Sequence, residues 1–207
     1  SAGGMHRQGL RAAALWRVNP GWTLRAGALA QTKPRVLDAG DKPASAIYIG
    51  NSFFYYNNSL HNHVSNLVKA ADPALGAKLQ FKSATIGGSA LHQHNIAHLT
   101  EPGRIGVSQP FQWVVMQGGS GEPLSVARRE VFRKTAASHA ELVKARGGQV
   151  ALYMTHAYVK PHSRVSPNNA VLTQAMYVDV GNDLQALVIP VGLAFEMAYQ
   201  RHPNLKL

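Results

Sequence analysis

Three glycine-centred turns constrain this chain more than any other feature. They are Gly50-Asn51-Ser52-Phe53, Gly87-Gly88-Ser89 and Gly118-Gly119-Ser120, each at the end of a predicted strand. The runs before the first and third, Ala46-Ile47-Tyr48-Ile49 and Trp113-Val114-Val115-Met116, are apolar without alternation. A strand buried on both faces, as in a central parallel sheet, reads this way. Ser52 and Gly88 are 36 residues apart, and Gly88 and Ser120 are 32 apart, which leaves room for a helix between strands. Turns at the carboxyl ends of parallel strands open onto one crevice.

The remaining pattern agrees. A strand is expected over 45–49, then a helix capped by Asn57 or Asn58, with Leu60, Val64, Leu67 and Val68 at helical spacing. Strands follow at 78–84 and 113–117. Pro123 opens a long helix with Phe132, Ala136, Ala140 and Val143 on one stripe, and Gly147-Gly148 stops it. A fourth strand covers 149–155, a helix about 167–184, a fifth strand 186–190 and a last helix about 192–201. Strands alternating with helices predict a parallel α/β sheet covered on both faces. No G-x-G-x-x-G or phosphate-binding loop occurs, so a dinucleotide site is not expected.

Residues 1–43 read differently, as a basic N-terminal arm ahead of a domain over 44–207. Ser1-Ala2-Gly3-Gly4 before Met5 reads as an expression-derived leader. The stretch to Ala28-Leu29-Ala30 has the outline of a secretory signal, interrupted by Arg17, Asn19, Pro20 and Arg25. A periplasmic or secreted location is favoured slightly over the cytoplasm. The formal charge is +11, but residues 1 to 37 hold six basic residues and no acid, leaving 15 basic against 10 acidic residues elsewhere. Nucleic-acid binding is therefore not expected, although the arm keeps it as a minor alternative. Cysteine is absent, which excludes disulfides and thiolate chemistry, and no apolar run is long enough for a membrane span.

Serine is a poor nucleophile without a base and without donors for the oxyanion. Ser52, at a strand end, can face the crevice, and its own N–H can serve as one donor. Gly88 offers unobstructed backbone for a second. Gln117 or Ser120 could supply a third from a side chain.

At this point the chain resembles the SGNH (GDSL) hydrolase superfamily. Residues 47–53 (Ile-Tyr-Ile-Gly-Asn-Ser-Phe) are similar to its first block, in the branch with Asn before the serine. Residues 83–89 are similar to the second block, whose glycine N–H is an oxyanion donor, and residues 113–120 to the third. The resemblance covers roughly residues 45 to 207. It implies a three-layer αβα sandwich of flavodoxin-like form with about five parallel strands. It also implies hydrolysis of esters, often acyl groups on carbohydrates. Ser120 stands where the family usually has an asparagine. No Asp-x-x-His follows Ser120, so the sequence reads as ending before that block and before the closing helix. Exposed apolar surface and self-association, or a swapped or supplied segment, are expected from that.

His92, His94 and His98 have zinc-like spacing, but polar or crevice-lining roles are expected instead. His156, just past the fourth strand, is expected to line the substrate pocket. Phe54, Tyr55 and Tyr56 read equally as an acyl pocket or as loop packing. No cofactor and no metal are expected. Two functions stay open: a serine esterase acting through an acyl-enzyme on Ser52, and an SGNH-like binding module without turnover.

Overall fold

The computed structural model describes residues 42–204. The N-terminal arm, apart from its last two residues, lies outside them, as does the signal-like outline within it.

Five strands form one sheet: β1 (Ser45–Gly50), β2 (Gln80–Thr85), β3 (Trp113–Gln117), β4 (Gln149–Tyr153) and β5 (Leu187–Ile189). All pairings are parallel and the order is β2-β1-β3-β4-β5. The helices are α1 (Ser52–Tyr55), α2 (Leu60–Ala71), α3 (Pro73–Gly76), α4 (Ile96–Leu99), α5 (Val126–Ala145), α6 (Asn169–Leu184) and α7 (Val191–Arg201). None among the described residues is long and apolar enough to cross a membrane.

Strand residues alternate between two faces, so one sheet builds two cores. Ile47, Ile49, Val114, Met116, Val150, Leu152 and Val188 face one cluster, where Phe132, Ala136, Ala140 and Val143 of α5 pack with Met176, Tyr177 and Val180 of α6. Ala46, Tyr48, Val115 and Ala151 face the other, closed by Phe54 of α1 and Leu60 of α2. On that second face Phe81, Trp113, Tyr153, Leu187 and Ile189 are only partly buried. The apolar-throughout strands are thus explained by two covered faces.

The predicted stripe of α5 is fully buried. Three local expectations are corrected. Asn57 and Asn58 do not cap α2; both sit at positive φ, and Ser59 occupies the cap position. Leu67 points outward, 70% exposed, instead of joining the α2 stripe. Pro123 lies in a 3-10 turn (Glu122–Leu124), and α5 starts at Val126 with the Ser125 hydroxyl accepting from the Arg128 N–H.

Candidate active site

The strand order decides where a site forms. From β1 the chain runs outward to β2, then crosses back over β1 to β3. At the carboxyl ends of β1 and β3 the connections therefore diverge and leave a crevice, the switch point of an open α/β sheet.

Asn51 stands at that point, 4% exposed. Its Nδ2 donates to Ser89 O at 2.9 Å and to Gly118 O at 3.3 Å. Its Oδ1 accepts from Gln117 Nε2 at 2.8 Å and from the Phe53 N–H at 3.3 Å. One side chain so ties together the turns after β1, β2 and β3. Ser89 adds a second tie: its hydroxyl donates to Gly50 O at 3.3 Å and contacts His94 Nε2 at 2.9 Å. From the other side, the Gly118 N–H donates to the hydroxyl of fully buried Tyr177 at 3.0 Å. Gly50 lets these parts meet: a Cβ there would lie 2.5 Å from Gln117 Oε1.

The tied turns frame a cavity of about 380 Å³, lined among others by Ser52, Gly88, Ser120, His92, Glu122 and Tyr158. Ser52 opens α1, with Asn51 as its N-cap. Gly88 has φ +70°, a left-handed conformation that glycine adopts without strain, and no atom crowds its Cβ position. Neither the Ser52 N–H nor the Gly88 N–H has an acceptor among the described residues. Both residues line the same cavity, and unbonded amide donors are what a developing oxyanion requires.

Gln117 and His156 are placed differently from expectation, and the Ser120 hydroxyl is already engaged. Gln117 is fully buried and committed to Asn51, so its amide does not reach the cavity. The Ser120 hydroxyl lines the cavity but is shared with Tyr158 OH at 2.8 Å. His156 does not line the cavity. It stacks on Phe195 of α7 at 4.7 Å and packs against Phe53 at 4.5 Å, and burial lowers its pKa. The triple His92, His94 and His98 diverges: His94 is buried against Ser89, His92 faces the cavity and His98 is exposed on α4. The described residues hold no group of three potential metal ligands.

Glu122 and Tyr158 also line the cavity, though neither is expected there from sequence. Glu122 is buried, and its carboxylate accepts from the Gly119 N–H and from the backbone at Leu91. Burial raises its pKa, while those bonds and the nearby His92 and Arg128 pull it back down. A lone glutamate in a Gly-x-x-Glu turn gave a signal in principle, because it can fold back onto the turn's own amides. Tyr158 comes from the irregular segment between β4 and α6, where no periodicity marks it.

No protein-family model and no curated protein sequence matches the chain. Solved structures do. A candidate SGNH hydrolase from Slackia heliotrinireducens superposes with a TM-score of 0.61 at 19% identity, over 75% of this chain and 83% of its own. The acetyl xylan esterase AlAXEase gives 0.61 at 12% identity, over 76% and 82%. A catalytic mutant of Axe2, an acetylxylan esterase from Geobacillus stearothermophilus, gives 0.57 at 16% identity, over 78% and 80%. The five-stranded parallel sheet and its flanking helices are those of the SGNH-hydrolase fold.

Proposed function

We propose that this chain is a serine ester hydrolase of SGNH type, with Ser52 as nucleophile. The observation that carries the reading is the convergence of Ser52, Gly88 and the Ser120 turn on one cavity, with two amide donors left unbonded. Ser52 Oγ would attack the acyl carbon, and the carbonyl oxygen would gain charge against the Ser52 and Gly88 N–H groups. The serine proton passes to a base and then to the departing alcohol, and water releases the acyl group from Ser52. O-acylated carbohydrates are the first substrates to try, since acetylxylan esterases share the fold.

Among the described residues no histidine or carboxylate hydrogen-bonds the Ser52 hydroxyl. That observation favours a second reading, a binding module that holds an acylated ligand without turning it over. His92 is the described imidazole on the cavity.

Labelling with a fluorophosphonate separates the two. An activated serine is modified stoichiometrically at Ser52, and Ser52→Ala abolishes both labelling and hydrolysis of 4-nitrophenyl acetate. Hydrolysis at equal rates by Ser52→Ala and the parent ends the hydrolase assignment. An oxyanion hole without its general base keeps about a thousandfold advantage over water in well-studied serine triads, so slow turnover is measurable.

A further inference from the structure

Two guanidinium groups meet at the cavity wall. Arg128, in the first turn of α5, and Arg164, between β4 and α6, both line it. From the Cβ position of Gly121, Arg164 Nη1 is 3.1 Å away, Arg128 Nη1 3.3 Å and Tyr158 OH 3.9 Å. Two like charges at one point repel, and the fold has no packing need for them, since both side chains are exposed.

Other arginines near them are spent. Arg129 donates to Pro123 O at 2.6 Å, and Arg133 pairs with Asp183. Neither Arg128 nor Arg164 has an acidic partner in ion-pair contact among the described residues. The acid that lines the same cavity, Glu122, is buried and turned to the Gly119 N–H. The Arg164 guanidinium lies 6.0 Å from the Tyr158 ring centre, and Tyr158 is held by Ser120 on the cavity floor. The two forks therefore present donors with no acceptor among the described residues.

We propose that Arg128, Arg164 and the Tyr158 hydroxyl form an anion subsite, and that the ester accepted at Ser52 carries a carboxylate or sulfonate-type group. The planar fork of arginine matches two oxygens of such a group at once. The subsite deepens the hydrolase reading and rests on it for the word ester; the binding of the anion does not depend on turnover.

Three aryl acetates of similar shape test it: 4-acetoxybenzoate, 4-acetoxybenzenesulfonate and neutral 4-acetoxybenzamide. Their phenol products are titrated in parallel and followed by amide chemical shifts. The two anionic phenols should bind about tenfold more tightly than the amide, as expected for charged hydrogen bonds at a partly screened site. Both Arg128→Gln and Arg164→Gln should shrink the preference, the double variant should remove it, and added salt should weaken it. Arginine-to-lysine variants should retain part of it. Circular dichroism of the variants checks folding. Equal binding of all three phenols, or a preference that survives the double variant, overturns the subsite. Charge-selective binding without turnover defeats the hydrolase reading alone. Turnover without charge preference defeats the subsite alone.

Discussion

Gln117 and Asn51 hold each other by two bonds that run in opposite directions. The Gln117 amide donates to the Asn51 side chain, and the Asn51 backbone N–H donates back to Gln117 Oε1 at 3.3 Å. Both residues are buried, so neither can exchange its partner for water. Replacing Gln117 with leucine orphans the Asn51 N–H and should cost about 2 kcal/mol in urea unfolding.

Asn51→Asp should be worse. The group that now donates to Ser89 O and Gly118 O would become an acceptor facing two carbonyls, in a site where a charge has no counter-ion. A loss of at least about 3 kcal/mol is expected, on the scale of an uncompensated buried charge. A midpoint equal to the parent's would show that the tie at Asn51 contributes nothing.

Gly50→Ala tests the close approach of β1 to β3. Its methyl would press on Gln117 Oε1 at 2.5 Å and Gln117 Cβ at 2.8 Å. Overpacking of this kind costs about 1–3 kcal/mol. Gly88→Ala differs because the space is open and only the backbone is strained. It should cost about 1–2 kcal/mol, and any shift of the Gly88 amide should lower kcat for ester cleavage with little change in KM.

One buried and one half-buried histidine set a pH dependence of stability. The His94 pKa is lowered, chiefly by burial and then by His139, and His139 is lowered by burial as well. In the unfolded chain both take up a proton near the ordinary value of 6.5. The folded state resists that uptake, so below 6.5 the unfolded state binds more protons and stability falls as pH drops. Urea midpoints should be flat above pH 7.5 and decline from about 6.5 downward. His139→Gln should flatten the decline; an unchanged slope would mean that this ring does not contribute to it.

Much of the scaffold was legible because its signals are local and periodic. Phe132, Ala136, Ala140 and Val143 recur at helical spacing, and all four meet the sheet. Val114 to Gln117 reads as a buried strand because both of its faces are covered. The site was legible only as far as its turns. Gln117 was placed at the correct strand end, yet no pattern tells whether a terminal strand residue faces the crevice or the neighbouring strand. His156 fails for a related reason: three residues beyond β4 the chain has left strand geometry, and stacking against Phe195, distant in sequence, decides its direction. Arg164 and Tyr158 sit in a segment without repeat, where only tertiary contacts give a side chain its place.

Asn51 uses every hydrogen-bonding valence of its side chain before any ligand arrives. The frame around Ser52 is consequently rigid at rest, and little reorganisation remains to be made during a reaction. Efforts to retune selectivity belong at the solvent-facing wall, where Arg128, Arg164 and Ser120 can vary; alterations at the strand ends would be felt by all three turns at once.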